Sequence, residues 1–83
     1  SPAVALRGPE RMVLQDGSVA EHLSGTRGDV AFDPAMRRVI LSRGTAHFDV
    51  RPDPDRPFVV IADGWEVRAV GTAFAVSARE NRA

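Results

Sequence analysis

The segment Arg37–Ala62, RRVILSRGTAHFDVRPDPDRPFVVIA, decides the fold. Val39 to Ser42 is strand-like, and Gly44 separates it from a second run, TAHFDV, in which Ala46, Phe48 and Val50 share one face. Thr45, His47 and Asp49 take the other face, so only the first is dry. At the far end PFVVIA is apolar on both sides, as expected of a strand at the centre of a small sandwich or covered on both faces. Between these runs lie Pro52, Pro54 and Pro57, interleaved with Asp and Arg. Proline has no N–H to give a ladder and is barred from central strands, so the three mark a connector with a largely preset backbone. The favoured reading of this connector is structural, since it offers no free N–H at three positions to a stray strand. The alternative is a preorganised recognition loop.

Outward from this segment, period-two alternation recurs between turn signals, and helical periodicity is nearly absent. Met12 and Leu14 alternate with Arg11, Val13 and Gln15 before Asp16-Gly17, a favoured two-residue hairpin turn. On the return strand Val19, Glu21 and Leu23 face one way, Ala20 and His22 the other. SGTRGD then breaks the pattern, and DVAFD forms the next strand. In DPAM, Asp33 and Pro34 suit a turn that reverses the chain into RRVILS. Asp63-Gly64 is a second hairpin turn leading into Trp65, Val67 and Ala69, which alternate with Glu66, Arg68 and Val70. Gly71 marks a bend before Thr72, Phe74 and Val76, and the tail from Ser77 to Ala83 is polar and frayed. These eight or nine short strands predict an all-β fold, a compact antiparallel sandwich or rolled sheet of short hairpins. Its expected core is Val30, Phe32, Phe48, Phe58, Val60, Trp65 and Phe74.

With 83 residues the chain is one domain, 1–83, and its hydrophobic fraction of 43% excludes a disordered polyelectrolyte. Eleven Lys+Arg balance 11 Asp+Glu, so no long-range field gathers a phosphate backbone, and nucleic acid is not an expected partner. There is no cysteine, which leaves the core to hold the fold and is compatible with either redox compartment. No apolar run reaches the roughly 18 to 20 residues that span a bilayer. The opening SPAVALRG reads as a cut edge, with any targeting segment outside this chain.

Few residues suggest chemistry. His22 and His47, the only histidines, both fall on polar strand faces and, with Asp49, are the best candidates for a metal in a small barrel. Two solvent-facing strand residues is the stronger reading, because metal sites announce three or more ligands at recognisable spacing. Asp53 and Asp55 lack the ligand number calcium requires and more plausibly solvate a loop or pair with neighbouring arginines. Ser18, Ser24 and Ser42 show no nucleophile setting, and no phosphate loop or dinucleotide fingerprint is present. The residues give no catalytic, cofactor-binding or metal-binding set, an enzyme is disfavoured, and binding residues stay unassigned.

In order and at matching spacing, LQDGS, AFDPAMRRVILSRGTAHFDV, RPFVV and VRAVGTAF resemble the FecR domain of bacterial transmembrane anti-sigma regulators. The resemblance covers about Glu10 to Val76. The chain departs from the family pattern at His22-Leu23, Gly28 and Thr45, so no binding residue is carried over. The resemblance implies a non-catalytic signal-relay module, a periplasmic part of a single-pass inner-membrane protein. Its partners would be the signalling domain of a TonB-dependent outer-membrane transporter, typically in iron uptake, and, through a cytoplasmic region absent here, an extracytoplasmic-function sigma factor. Membrane contact would come only through an absent helix. A competing expectation from a different class is a carbohydrate or cell-wall binding module with Trp65 as stacking platform, although the alternation argues for burial of Trp65.

Overall fold

A computed structural model describes residues 4–7 and 10–78. Their regular structure is all β, in eight strands: β1 (Val4–Arg7), β2 (Glu10–Val13), β3 (Val19–His22), β4 (Arg27–Phe32), β5 (Arg37–Asp49), β6 (Phe58–Ala62), β7 (Trp65–Ala69) and β8 (Ala73–Ala78). β5 organises the rest. Its first half pairs antiparallel with β4 and parallel with β6, and its second half pairs antiparallel with β3 and β8. The sheet is therefore one surface folded along β5 into two leaves, the first β1-β4-β5-β6-β7 and the second β2-β3-β5-β8. This is the expected rolled sheet, with one parallel pair among the hairpins. The parallel pair is possible because the connection from Leu41 to Phe58 runs out through the second leaf and back, long enough for a crossover.

The fold line lies at Gly44. The sequence reads as two strands here, but β5 runs unbroken through 13 residues. Gly44 has φ +94°, and its backbone passes so close to Thr26 that an added Cβ would lie 2.5 Å from Thr26 Cα. Thr26 holds that approach from both sides: its hydroxyl donates to Thr45 O (3.0 Å) and accepts from Thr45 N–H (3.2 Å). A register shift at Arg27/Gly28 takes up the bend on the neighbouring strand.

Turn chemistry explains the hairpins. Asp63 (φ 51°) and Gly64 (φ 78°) form a two-residue turn with both central residues left-handed, the geometry that matches the twist of antiparallel strands. At the first hairpin the expected two-residue turn is wrong. Leu14 N–H donates to Ser18 O and Gly17 N–H to Leu14 O, so the loop is the three residues Gln15 to Gly17, with Gly17 at φ +87°. Between β4 and β5, the Asp33 carboxylate accepts from the N–H groups of Ala35 (2.7 Å) and Met36 (2.8 Å) and holds the reversal into β5.

The core lies between the leaves. Phe48 of the second leaf stands 5.5 Å, centroid to centroid, from Phe58 of the first, and Phe32 and Phe74 complete the cluster at 5.9 Å from Phe58 and 5.6 Å from Phe48. Val30, Phe32, Phe48, Phe58 and Val60 are buried as expected, and Phe74 packs partly buried against them. Along β6, Phe58, Val59, Val60 and Ala62 are all buried, which bears out a strand covered on both faces. Trp65 is the exception in the expected core, at 75% exposed. Of the tail, Ser77 and Ala78 belong to β8, and 79–83 lie outside the described residues.

Candidate interaction surface

Strand alternation places Arg37 on the same side of β5 as Val39 and Leu41, facing the core, and the side chain is fully buried. A guanidinium taken out of water is costly unless every donor is used. Here each of its five N–H groups has an acceptor. Nε donates to Arg56 O (2.7 Å); Nη1 donates to Asp16 Oδ2 (2.7 Å) and Arg51 O (2.7 Å). Nη2 donates to Val70 O (3.1 Å) and, at a longer 3.4 Å, to Asp53 O. The Phe58 ring lies beneath the cation, 5.5 Å from its centre.

Three of those carbonyls share a property. Arg51, Asp53 and Arg56 are the residues that precede Pro52, Pro54 and Pro57. A residue before proline is confined to extended backbone, and its peptide group can accept but not donate. The connector thus presents a row of preset acceptors to one buried cation. That is why proline recurs here, and it supports the structural reading of the connector. Asp53 N–H donates back to Val70 O (3.2 Å), Arg37 N–H to Pro57 O (2.9 Å), and Gly71 lets Pro52 approach to where a Cβ would stand 2.6 Å from Pro52 Cα.

Asp16 joins the first hairpin to this centre. Its carboxylate accepts from Arg37, from Ser18 N–H (2.9 Å) and from Ser18 Oγ–H (2.7 Å), while Ser18 Oγ accepts from Arg51 N–H (2.9 Å). Burial acts to raise its pKa, but the bonds from Arg37 and Ser18 and the charge of Arg37 outweigh it and hold the carboxyl below its ordinary value. LQDGS and the Arg of AFDPAMR therefore meet at one ion pair. Reading by motif alone missed both residues; the signal was an arginine in phase with a dry strand face.

The sequence-stated candidates fall elsewhere. His22 is buried rather than on a polar face, and among the described residues neither of its ring nitrogens has a hydrogen-bond partner. His47 is exposed. Because His22 pairs with Ala46, the neighbour of His47, the two imidazoles point to opposite sides of the second leaf and do not converge. Among the described residues no group of three or more His, Asp or Glu could hold a metal ion. Asp53 pairs with Arg56 (3.2 Å) and caps Asp55 N–H, as a loop carboxylate does. Ser18 is committed to Asp16 and Arg51; Ser24 and Ser42 are exposed.

On the surface, β7 stands out. The register Leu41–Ala62–Trp65 does put Trp65 on the core-facing side of the first leaf, as alternation predicts. Among the described residues the strand pairs only with β6, and its burial runs out with distance from the Phe58–Ala69 end: Ala69 is buried, Val67 is 36% exposed and Trp65 is 75% exposed. Glu66 and Arg68 occupy the opposite face and touch at 3.1 Å.

Comparison with known proteins gives this scaffold its relatives. The family model described as FecR protein matches residues 7–83. The chain belongs to the FecR family. Two crystal structures of a protein from Parabacteroides distasonis ATCC 8503, assigned there as an anti-sigma factor, share the fold with a TM-score of 0.81 and 27% identity. They match 98% and 99% of this chain but only 39% and 40% of that protein, so the chain spans about two fifths of its length. No curated protein matches. Members of the FecR family are membrane-anchored, non-enzymatic regulators with a periplasmic sensor region. Among the described residues no helix is long and apolar enough to cross a membrane.

Proposed function

We propose that residues 1–83 form the periplasmic signal-relay module of an anti-sigma regulator. In this reading it conveys a signal from a TonB-dependent outer-membrane transporter to an extracytoplasmic-function sigma factor, in iron uptake. The observation that carries the reading is the family match over nearly the whole chain, together with the likeness in fold to an anti-sigma factor. The geometry agrees: the buried charges are spent on one another and on the connector, which leaves the outer surface to meet a partner. The test is a titration of isotopically labelled domain, alone and within the full regulator, with the signalling domain of the transporter. Shifts confined to surface residues support the reading; no shift in either form refutes it.

Exposure of Trp65 favours a second reading, a carbohydrate or cell-wall binding module, because an uncovered indole is a stacking platform for a sugar ring. Trp65 emission that saturates on addition of cell-wall oligosaccharides supports this reading, and emission that does not change removes it.

A further inference from the structure

Among the described residues β7 has a neighbour on one side only. Residues flanking a two-residue hairpin turn exchange both N–H···O bonds, and such bonded pairs recur at every second position. Ala62–Trp65, Val60–Val67 and Phe58–Ala69 are then the bonded pairs, and the backbone N–H and C=O groups of Glu66 and Arg68 turn to the open side. Within Trp65–Ala69 neither proline nor a bulge blunts this edge, and the connector closes it only beyond, where Asp53 N–H donates to Val70 O.

We propose that β7 pairs with β7 of a second copy of this chain, antiparallel about a two-fold axis at Val67, so that the first leaf continues through both copies. Charge selects the register. With only Glu66 and Arg68 offering backbone groups, three symmetric registers exist: Glu66 opposite itself, Arg68 opposite itself, or Glu66 opposite Arg68. The first two set like charges face to face, which is destabilising. The third makes two opposite-charge pairs, sets Val67 against its own counterpart and lays each Trp65 beside the Ala69 of the other copy. Both indoles then lie on the core-facing side of the joined sheet, against the exposed Val67 side chains, and lose solvent. The contact between Arg68 and Glu66 on one strand joins side chains 63% and 49% exposed, so little opposes its exchange for a pair across the axis. The open side of β8 has no such code, since its outward residues are Ala73, Ala75 and Ser77.

The 83-residue chain tests this directly, because Trp65 is its only tryptophan. Sedimentation velocity and acrylamide quenching are followed from low micromolar to millimolar concentration. A dimer forms, with Trp65 emission moving to shorter wavelength and quenching falling in step. Glu66→Arg alone and Arg68→Glu alone each raise the dimer dissociation constant by about tenfold. An equimolar mixture of the two variants recovers association, as does the double variant, and circular dichroism confirms that each keeps the fold. A chain that stays monomeric throughout, a dimer indifferent to both reversals, or a dimer whose Trp65 stays fully quenchable overturns the proposal. So does Trp65 capture by a sugar or by a different protein's strand with no dimer of this chain.

Discussion

Arg37 occupies a position that strand alternation reserves for an apolar side chain, and its acceptors come from the first hairpin, the connector and Val70, just past β7. Arg37→Met strips the donor from the Asp16 carboxylate and from four carbonyls; removing one member of a buried ion pair costs about 3 to 5 kcal/mol. The predicted result is a matching drop in the urea midpoint, with the connector amides losing hydrogen-exchange protection first. Arg37→Lys is no rescue, since an ammonium is a point charge that cannot span the fork. Trp65→Ser, by contrast, changes stability by less than about 0.5 kcal/mol, because the side chain is mostly in solvent. Among the described residues three carboxyls are held below their ordinary pKa: Asp16 as described, Asp33 by the N–H groups of Ala35 and Met36, and Asp53 by the Arg56 side chain. A carboxyl depressed by folding contributes stability that is complete above its unfolded pKa and is lost as pH falls through the folded one. Thermal unfolding midpoints should therefore be flat near neutrality and fall below about pH 4, and Asp16→Asn should flatten that acid limb.

At the scale of strands and turns, the hairpins from β4 to β5 and from β6 to β7 were legible because Asp33-Pro34 and Asp63-Gly64 state their turn chemistry locally. So was β6, whose apolar run has no polar face. What was not legible depended on partners distant in sequence. Gly44 reads as a break, yet it lets one strand cross from leaf to leaf, because Thr26 pins the bend 18 residues away in the chain. Gly44→Ala must hold φ near +94° and move Thr26, so it costs about 1 to 3 kcal/mol for the backbone alone. A urea titration of the variant measures this, and Thr26→Ala should lose less. The burial of His22 is hidden from the sequence because the polarity of an imidazole says nothing about burial, and the exposure of Trp65 is hidden because alternation gives the side of a sheet but not where the covering leaf stops.

The molecule as a whole is a rolled sheet whose two leaves meet at four phenylalanines and are locked by a guanidinium, with its relatives among FecR regulators. Phe48→Ala opens a cavity between the leaves and should cost about 3 to 5 kcal/mol, enough to leave much of so small a domain unfolded at growth temperature. Of the candidate surface, only composition and the family motifs were readable in advance; the uncovered face of β7 emerged from packing. The most direct measurement of the central claim, that Arg37 locks connector and sheet into one cooperative unit, is hydrogen exchange of its Nε–H by NMR. The account predicts exchange as slow as the core amides of Val39 and Val60, through global unfolding alone. Exchange at the rate of the exposed Arg38 and Arg68 guanidinium groups, while those amides stay protected, would contradict it.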